Sequence, residues 1–490
     1  DYRFIRAWWG ISPVDMRIRW QRWQKGGEYQ PFFSSTPYVI DWPKENDGAV
    51  MRAFGISKVG TDAQVAQSSR YWWKSGLVGP ALNTTGAGFN IRVLPKDQIF
   101  SAKSTVVIPK GRKQAMILLS LLNSRTLRWF LYQQGAGLAG NTGKIKTLPI
   151  IWPNGNTEKS LESLAQDATM LMAELESFRE TSPCFKDLIR QHSDLVERYR
   201  ECSDRLDATV SVLYQQDVED EVVRPTTDLA ESALVEATDG HILNPHGNSL
   251  LAYCLGIVFG RWDVRIALDP SLAPKPPDPF DPLPACPPGM LISPNGLPAE
   301  PNCIVSEEWL RARPDANALP SIGAVKNPTI PDDGYPLRID WDGILVDDLG
   351  HEDDIIRRVQ NVLEVIWKDR AEAIELEACE ILGVRELRDY FRKPGNGGFW
   401  MDHVKRYSKS RRKAPIYWYL RSAKGNYGLW LYYHRLDKDI LFKALLNYVE
   451  PKIRLEEDRL RTLRGRKEAA GSSGREAKQI EKDMDRHEQF

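Results

Sequence analysis

Two stretches of this sequence interleave positive charge with aromatic rings. Arg17, Arg19, Trp20, Arg22, Trp23 and Lys25 form the first, and Arg70-Tyr71-Trp72-Trp73-Lys74 forms the second. Arg and Lys neutralise phosphates and can pair in two-point fashion with guanine; aromatic rings stack on an unpaired base or wedge into a distorted duplex. Most Trp side chains of a globular protein fill its core, so the cations are the better binding candidates. A third concentration comprises Lys405, Arg406, Lys409, Arg411, Arg412 and Lys413, with no acidic residue between them. Packing these cations together costs self-repulsion unless an anion compensates. DNA phosphate is the favoured anion, and the acidic middle of the same chain is the alternative. Tyr417, Trp418 and Tyr419 follow, and are expected to anchor the segment to a core.

Other chemistries find little support. Gly135-Ala136-Gly137-Leu138-Ala139-Gly140 spells G-x-G-x-x-G, but it follows a helix-like run, whereas a dinucleotide site needs strand, turn and helix. A glycine loop near phosphate is the more plausible role. The 7 histidines form no H-E-x-x-H pair, and the 6 cysteines form no Cys-x-x-Cys, which excludes a zinc ribbon or a disulfide scaffold. No G-x-S-x-G or Walker loop occurs. Asn244-Pro245-His246-Gly247 shares only its first two residues with the Asn-Pro-Pro-aromatic motif of amino-methyltransferases, and reads as a turn.

The elements that must carry these residues lie in a chain of 490 residues, long enough for two to four domains. Its net charge is zero, but residues 1–156 hold 21 Lys and Arg against 8 Asp and Glu (net +13). Residues 157–385 hold 20 against 43 (net −23), residues 386–466 hold 20 against 9 (net +11), and the last 24 residues hold 5 against 6. Two basic, aromatic-rich blocks around an acidic one favour a nucleic-acid partner over a merely solvated surface. No apolar run nears the ~20 residues that span a bilayer. A soluble, cytoplasmic protein without membrane contact is expected. Because the chain opens on Asp1, it is expected to lack an N-terminal part.

Residues 1–156 read as mixed α/β, with strands near 38–42, 91–94 and 105–109 and one helix over 113–132. Residues 157–215 carry two apolar stripes at helical spacing, Leu161 to Phe178 and Leu195 to Leu213, which predict a helical hairpin. Residues 270–301 are too rich in proline for helix and too long for a casual connection. Helix returns over 351–383 and, kinked at Pro451, over 437–463; the chain beyond 471 reads as flexible.

The same residues resemble a known family. Tyr2-Arg3-Phe4-Ile5-Arg6-Ala7-Trp8-Trp9 resembles the segment after the T-G-D-N motif of PglX-type adenine-specific DNA methyltransferases, which belong to phage-defence systems of the BREX kind, and related DISARM methylases. Lys25-Gly26-Gly27-Glu28-Tyr29 with Pro31-Phe32-Phe33, and Val39-Ile40-Asp41-Trp42, are similar to its K-G-G-E-Y and V-V-N-W stretches. Arg92-Val93-Leu94-Pro95 and Gly143-Lys144-Ile145-Lys146-Thr147-Leu148-Pro149-Ile150 resemble its R-x-L-P and G-x-I-x-x-L-P-I elements. Phe259-Gly260-Arg261-Trp262-Asp263, Asp281-Pro282-Leu283-Pro284, the string from Arg406 to Trp418, and Tyr432-Tyr433-His434-Arg435-Leu436 extend the resemblance to about residue 463.

The resemblance implies a multidomain α/β and α fold. Its parts would be a mixed α/β target-recognition (DNA-specificity) domain over 1–156, a helical-hairpin spacer over 157–235, an irregular Pro-rich connection over 236–350, a mostly helical, basic and aromatic C-terminal domain over 351–466, and a flexible tail over 467–490. It implies the specificity part of an enzyme that methylates adenine N6 and marks host DNA as self. The family's Asn-Pro-Pro-Tyr motif and its S-adenosylmethionine site are absent here, so no catalytic residue or metal ligand carries over, and the cofactor is expected in a preceding methyltransferase domain. That domain, double-stranded DNA and other phage-defence subunits are the implied partners. Arg17, Arg19, Arg22, Lys25, Arg70, Lys74, Arg92, Lys144, Lys146, Lys405, Arg406, Lys409, Arg411, Arg412 and Lys413 are the candidate DNA-binding residues. The alternatives are the specificity part of a fused restriction–modification enzyme, and a stand-alone DNA-binding protein.

Overall fold

The computed structural model describes residues 3–25, 29–81, 89–134, 142–188, 193–215, 248–312, 329–409, 412–470 and 475–488. The glycine string at 135–140 and the Asn-Pro turn at 244–247 lie outside them. The chain divides into two compact units. The first comprises 1–245, 265–299 and 303–330, and the second 246–264, 300–302 and 331–490.

The first unit is mixed α/β. Its strands are β1 (Ile5–Ala7), β2 (Trp20–Gln24), β3 (Tyr38–Asp41), β4 (Gly76–Pro80), β5 (Arg92–Leu94), β6 (Gln98–Phe100) and β7 (Ser104–Val107). They form a four-stranded sheet in the order β1-β3-β2-β6 and a three-stranded one in the order β5-β4-β7. β3 is antiparallel to β1 and β2, and β2 runs parallel to β6 with Arg22 opposite Gln98. Strand alternation sorts the first sheet's side chains. Ile5, Trp23, Ile40 and Ile99 join the apolar cluster around Trp42 and Trp72, and the opposite face is largely polar.

Between β3 and β4 the chain inserts α2 (Ala49–Val59) and α3 (Asp62–Val65), after α1 (Pro13–Ile18). Gly48 begins α2 at φ +65°, and a Cβ there would stand 2.3 Å from the Trp42 indole, so the close approach requires glycine. The single helix expected over 113–132 is two: α4 (Arg112–Asn123) and α5 (Arg125–Gln133). Ser124 is extended between them, and its hydroxyl accepts the Leu127 N–H, an N-cap that starts a new helix where periodicity alone suggested continuity. After α6 (Thr142–Lys146), the expected hairpin is α7 (Gly155–Glu176) and α8 (Ser193–Leu213). It is antiparallel: Ile151 N–H, ahead of α7, reaches the Tyr214 hydroxyl just past α8 (3.0 Å). Leu161, Leu164, Ala168, Leu171, Leu175, Leu195, Tyr199, Leu206 and Val210 are all buried in one cluster with α4. The Pro-rich segment lies against this unit: Lys96 N–H donates to Phe280 O and Gly289 N–H to Phe185 O, both at 2.8 Å.

In the second unit the apolar helix Asn248–Val258 is buried from Ser249 onward, beside Ile355–Trp367. A three-stranded antiparallel sheet joins Ile344–Val346, Gly428–Tyr432 and Tyr417–Arg421 in that order, so this part is less purely helical than expected. The helix expected over 351–383 divides into Ile355–Trp367 and Ala371–Leu382 around a 3-10 turn. The kink expected at Pro451 is instead a π-helical turn, Leu445–Val449, in an otherwise continuous run from Ile440 to Ala470. Proline lacks an N–H, and its ring would strike the carbonyl one turn back; widening the turn relieves both defects. The chain beyond 471, expected to be flexible, contains the helix Arg475–Glu488, whose Ile480 is buried and whose His487 pairs with Glu456.

Candidate nucleic-acid interface

The polar face of the first sheet separates the candidate cations into buried and presented ones. Arg22, in the middle of β2, is 5% exposed; its Nη2 donates to Pro284 O (2.8 Å) and its guanidinium lies 5.2 Å from the Trp8 ring. Burial lowers its pKa to about 10. Arg92 is equally buried, its Nη2 3.4 Å from Gln24 Oε1 in a network that runs through Thr36 to Gln98. Neither can reach a phosphate. The expectation that Arg22 and Arg92 bind DNA is corrected to a structural role, because both side chains are buried in a covered sheet face, away from solvent.

One end of the same sheet presents its cations. The register places Trp20 opposite Asp41 and Arg22 opposite Gln98, so Arg19, residues 42–44 and Asp97 share that end. Arg19 donates from Nε and Nη2 to the two oxygens of Asp41, at 2.7 and 2.5 Å. Hydrogen bonding to Asp41, then its charge, raises the Arg19 pKa. Arg6 of β1 and Arg19 both approach the Trp20 ring, at 5.3 and 6.0 Å. Arg17, exposed on α1, donates to Gly296 O at 3.1 Å.

At that end the second aromatic string is also divided. Trp72 is buried edge-on against Trp42, with ring centroids 5.2 Å apart. Tyr71 is exposed, with Arg70 at 4.7 Å and Lys74 at 5.7 Å from its ring. Trp73 holds a left-handed backbone (φ +68°), as does Asp97 (φ +62°), and Trp73 N–H donates to Gln98 O (3.1 Å). Such conformations cost about 1–3 kcal/mol in a non-glycine residue and persist where the surroundings over-determine them. Lys44 lies 4.8 Å from the Trp73 ring and 3.6 Å from an Asp97 oxygen.

The remaining candidates lie elsewhere. Lys25 extends from the opposite end of β2, over the Tyr38 ring at 5.4 Å. Lys144 donates to Gln134 O (3.2 Å), and Lys146 is exposed on α6. In the second unit, Ser408–Lys409 and Arg412–Lys413 pair as a short antiparallel hairpin with Lys409 opposite Arg412. Arg411 lies outside the described residues. Lys405 and Lys413 are exposed, while Arg406 reaches the Ser249 hydroxyl at 3.1 Å. The hairpin is anchored from below. Buried His403 accepts the Ile416 and Tyr417 N–H groups at 3.0 and 3.1 Å, and burial lowers its pKa, which keeps it neutral. Tyr417 is buried, as expected for an anchor, whereas Trp418 is 45% exposed beside Trp400.

Sequence reasoning missed Arg6, Lys44 and Asp41. Asp41 sits in the family-like Val-Ile-Asp-Trp string, but its ion pair with Arg19 joins residues on different strands, and no local pattern announces it. Among the described residues no group of three or more His, Cys, Asp or Glu could hold a metal ion. Burial pushes the Cys184 thiol up to about 12, so it is no nucleophile. Among the described residues, the arrangement sets exposed guanidinium and ammonium groups beside aromatic rings at one end of the sheet.

No family model matches the chain. It is similar to the adenine-specific methyltransferase BrxX of Escherichia coli O9:H4 (strain HS), with 24% identity over an alignment 511 positions long, gaps included, that covers 98% of this chain and 38% of BrxX. The chain thus spans well under half the length of that relative. A solved structure of the Type IIL restriction–modification enzyme MmeI in complex with DNA aligns with 47% of this chain and 34% of its own, at 14% identity and a TM-score of 0.30. That level does not define a common fold. No helix among the described residues is long and apolar enough to cross a membrane.

Proposed function

We propose that the first unit grips duplex DNA through the end of its four-stranded sheet, and so selects the site for an adenine-specific methyltransferase. The observation that carries this reading is the gathering there of exposed Arg6, Arg19, Arg70 and Lys74 around Trp20 and the exposed ring of Tyr71. The similarity, along 98% of this chain, to part of an adenine-specific methyltransferase supports the choice of reaction. On this reading the chain is a target-recognition region with a second, basic module. Contacts to phosphate fix its register, contacts to base edges choose the site, and the target adenine is flipped out of the stack into a methyltransferase domain. That domain holds S-adenosylmethionine and is the chain's first protein partner. Methylation marks host DNA as self in phage defence, with other defence subunits as further partners.

The test is fluorescence anisotropy of a labelled duplex over a series of salt concentrations. Arg70→Ala with Lys74→Ala should weaken binding to all duplexes and flatten the log–log salt slope by about 0.9 for each phosphate no longer neutralised, with the melting temperature unchanged. An unaltered slope would remove that end of the sheet from the interface. Calorimetry of this chain with S-adenosylmethionine should give no stoichiometric isotherm, and a clear one would overturn the division of labour.

A further inference from the structure

Among the presented cations, the Arg19 guanidinium is held in a fixed orientation by a two-point pairing with a buried acid. The Asp41 carboxylate is 7% exposed while the Arg19 side chain is 58% exposed, so a buried acid holds a guanidinium that faces solvent. The backbone is fixed as well: Arg19 N–H donates to Asp15 O (2.9 Å), and its carbonyl accepts from Trp42 N–H (3.1 Å). Asp41 takes the Nε–H and one Nη2–H. This leaves the end-on fork of the planar guanidinium, an Nη1–H and the other Nη2–H, parallel and directed away from the acid.

We propose that Arg19 reads a guanine in the major groove, its end-on fork donating to O6 and N7, with Asp41 as the residue that positions it. This deepens the DNA-binding reading above and rests on it. Charge separates this role from a phosphate contact. The Arg19–Asp41 pair is formally neutral, so its attraction for an anion is much reduced while its donor geometry is fixed. A neutral, rigid pair of parallel donors suits an uncharged pair of acceptors, and the guanine Hoogsteen edge offers such a pair. Arg70 and Lys74, which cluster on an exposed Tyr71 ring, suit phosphate instead.

The experiment selects bound duplexes from a randomised library with the 490-residue chain, followed by sequencing and by affinity measurements on single duplexes. The unaltered chain should enrich guanine at one position. Arg19→Lys, which keeps the charge and loses the fork, should cut that preference about 10- to 100-fold while affinity for unrelated duplexes changes by less than about 3-fold. Asp41→Asn should also blur the guanine preference, yet raise affinity for unrelated duplexes and steepen the salt slope by about 0.9, because a carboxylate charge has gone and Arg19 can then neutralise a phosphate. A merely structural Asp41 would not move that slope. If the guanine preference survives in both variants, Arg19 does not read the base and the proposal falls while DNA binding stands. If the unaltered chain binds without any base preference, the result is the same. If it binds no duplex at all, the parent reading falls and this one falls with it.

Discussion

Asp340 of the second unit is buried, and its carboxyl accepts the Gly343 N–H at 3.0 Å. Burial first, then the nearby Asp353 carboxylate, push its pKa up from the ordinary 3.8 to about 7, against the pull of Arg358. The folded chain therefore keeps a proton that the unfolded chain releases above about pH 4. Folding stability from this group is complete below the unfolded value and is lost as pH rises through about 7. Asp340→Asn should remove that slope. The urea midpoint of the unaltered protein should fall between pH 5 and pH 8, by the equivalent of roughly 1–4 kcal/mol, and the variant's midpoint should stay flatter. Parallel profiles would mean that Asp340 ionises freely in the fold. Arg19 and Arg22 show what one residue hides in sequence. Both are arginines beside tryptophans in one basic string, yet one is presented by a buried acid and the other is sealed under Pro284. The distinction depends on partners 22 and 262 positions away, at distances no local pattern reports.

At the scale of elements, the hairpin of Ser408–Lys409 and Arg412–Lys413 poses the sharpest question, since its register sets Lys409 directly opposite Arg412. Like charges across a strand pair destabilise it, and the neighbourhood adds exposed Lys405 and Lys413. A phosphate backbone would relieve that repulsion. Lys405→Glu with Lys413→Glu should weaken binding to every duplex sequence alike, with the circular-dichroism melt unchanged; altered melting at intact affinity would assign these residues to the fold. The elements themselves were largely legible. The strands near 38–42, 91–94 and 105–109 and the two stripes of α7 and α8 appear where alternation and helical spacing place them. What periodicity missed was local chemistry interrupting it. Ser124 caps a second helix inside an unbroken apolar pattern, and Pro451 widens a turn where a kink was expected. Trp72 and Trp73 are neighbours in one string, and only the edge-on packing of Trp42 decides which of them is buried.

For the whole molecule, a net charge of zero and a pI near 7.2 would ordinarily argue against a polyanion partner. The charge is divided into blocks, however, and attraction for DNA depends on local fields over about a Debye length, not on the total. Part of the positive excess of residues 1–156 is already neutralised inside the first unit. Acids from beyond residue 156 do this: Arg112 pairs with Asp278, Lys113 with Glu158, and Arg125 with Asp204 and Asp207. These pairs cancel charge on the flank that packs on α7 and α8, whereas Arg70 and Lys74 remain exposed around Tyr71. The positive field that reaches solvent is thus smaller than the composition suggests, and the sheet end contributes to it. The consequence is measurable. If that field meets phosphate, affinity for a duplex of arbitrary sequence should fall steeply between about 50 and 200 mM salt, with a log–log slope of about −0.9 per phosphate neutralised and several phosphates in all. A slope near zero would mean that the acids of this chain neutralise the remaining cations too. The basic blocks would then serve the fold and not a nucleic acid.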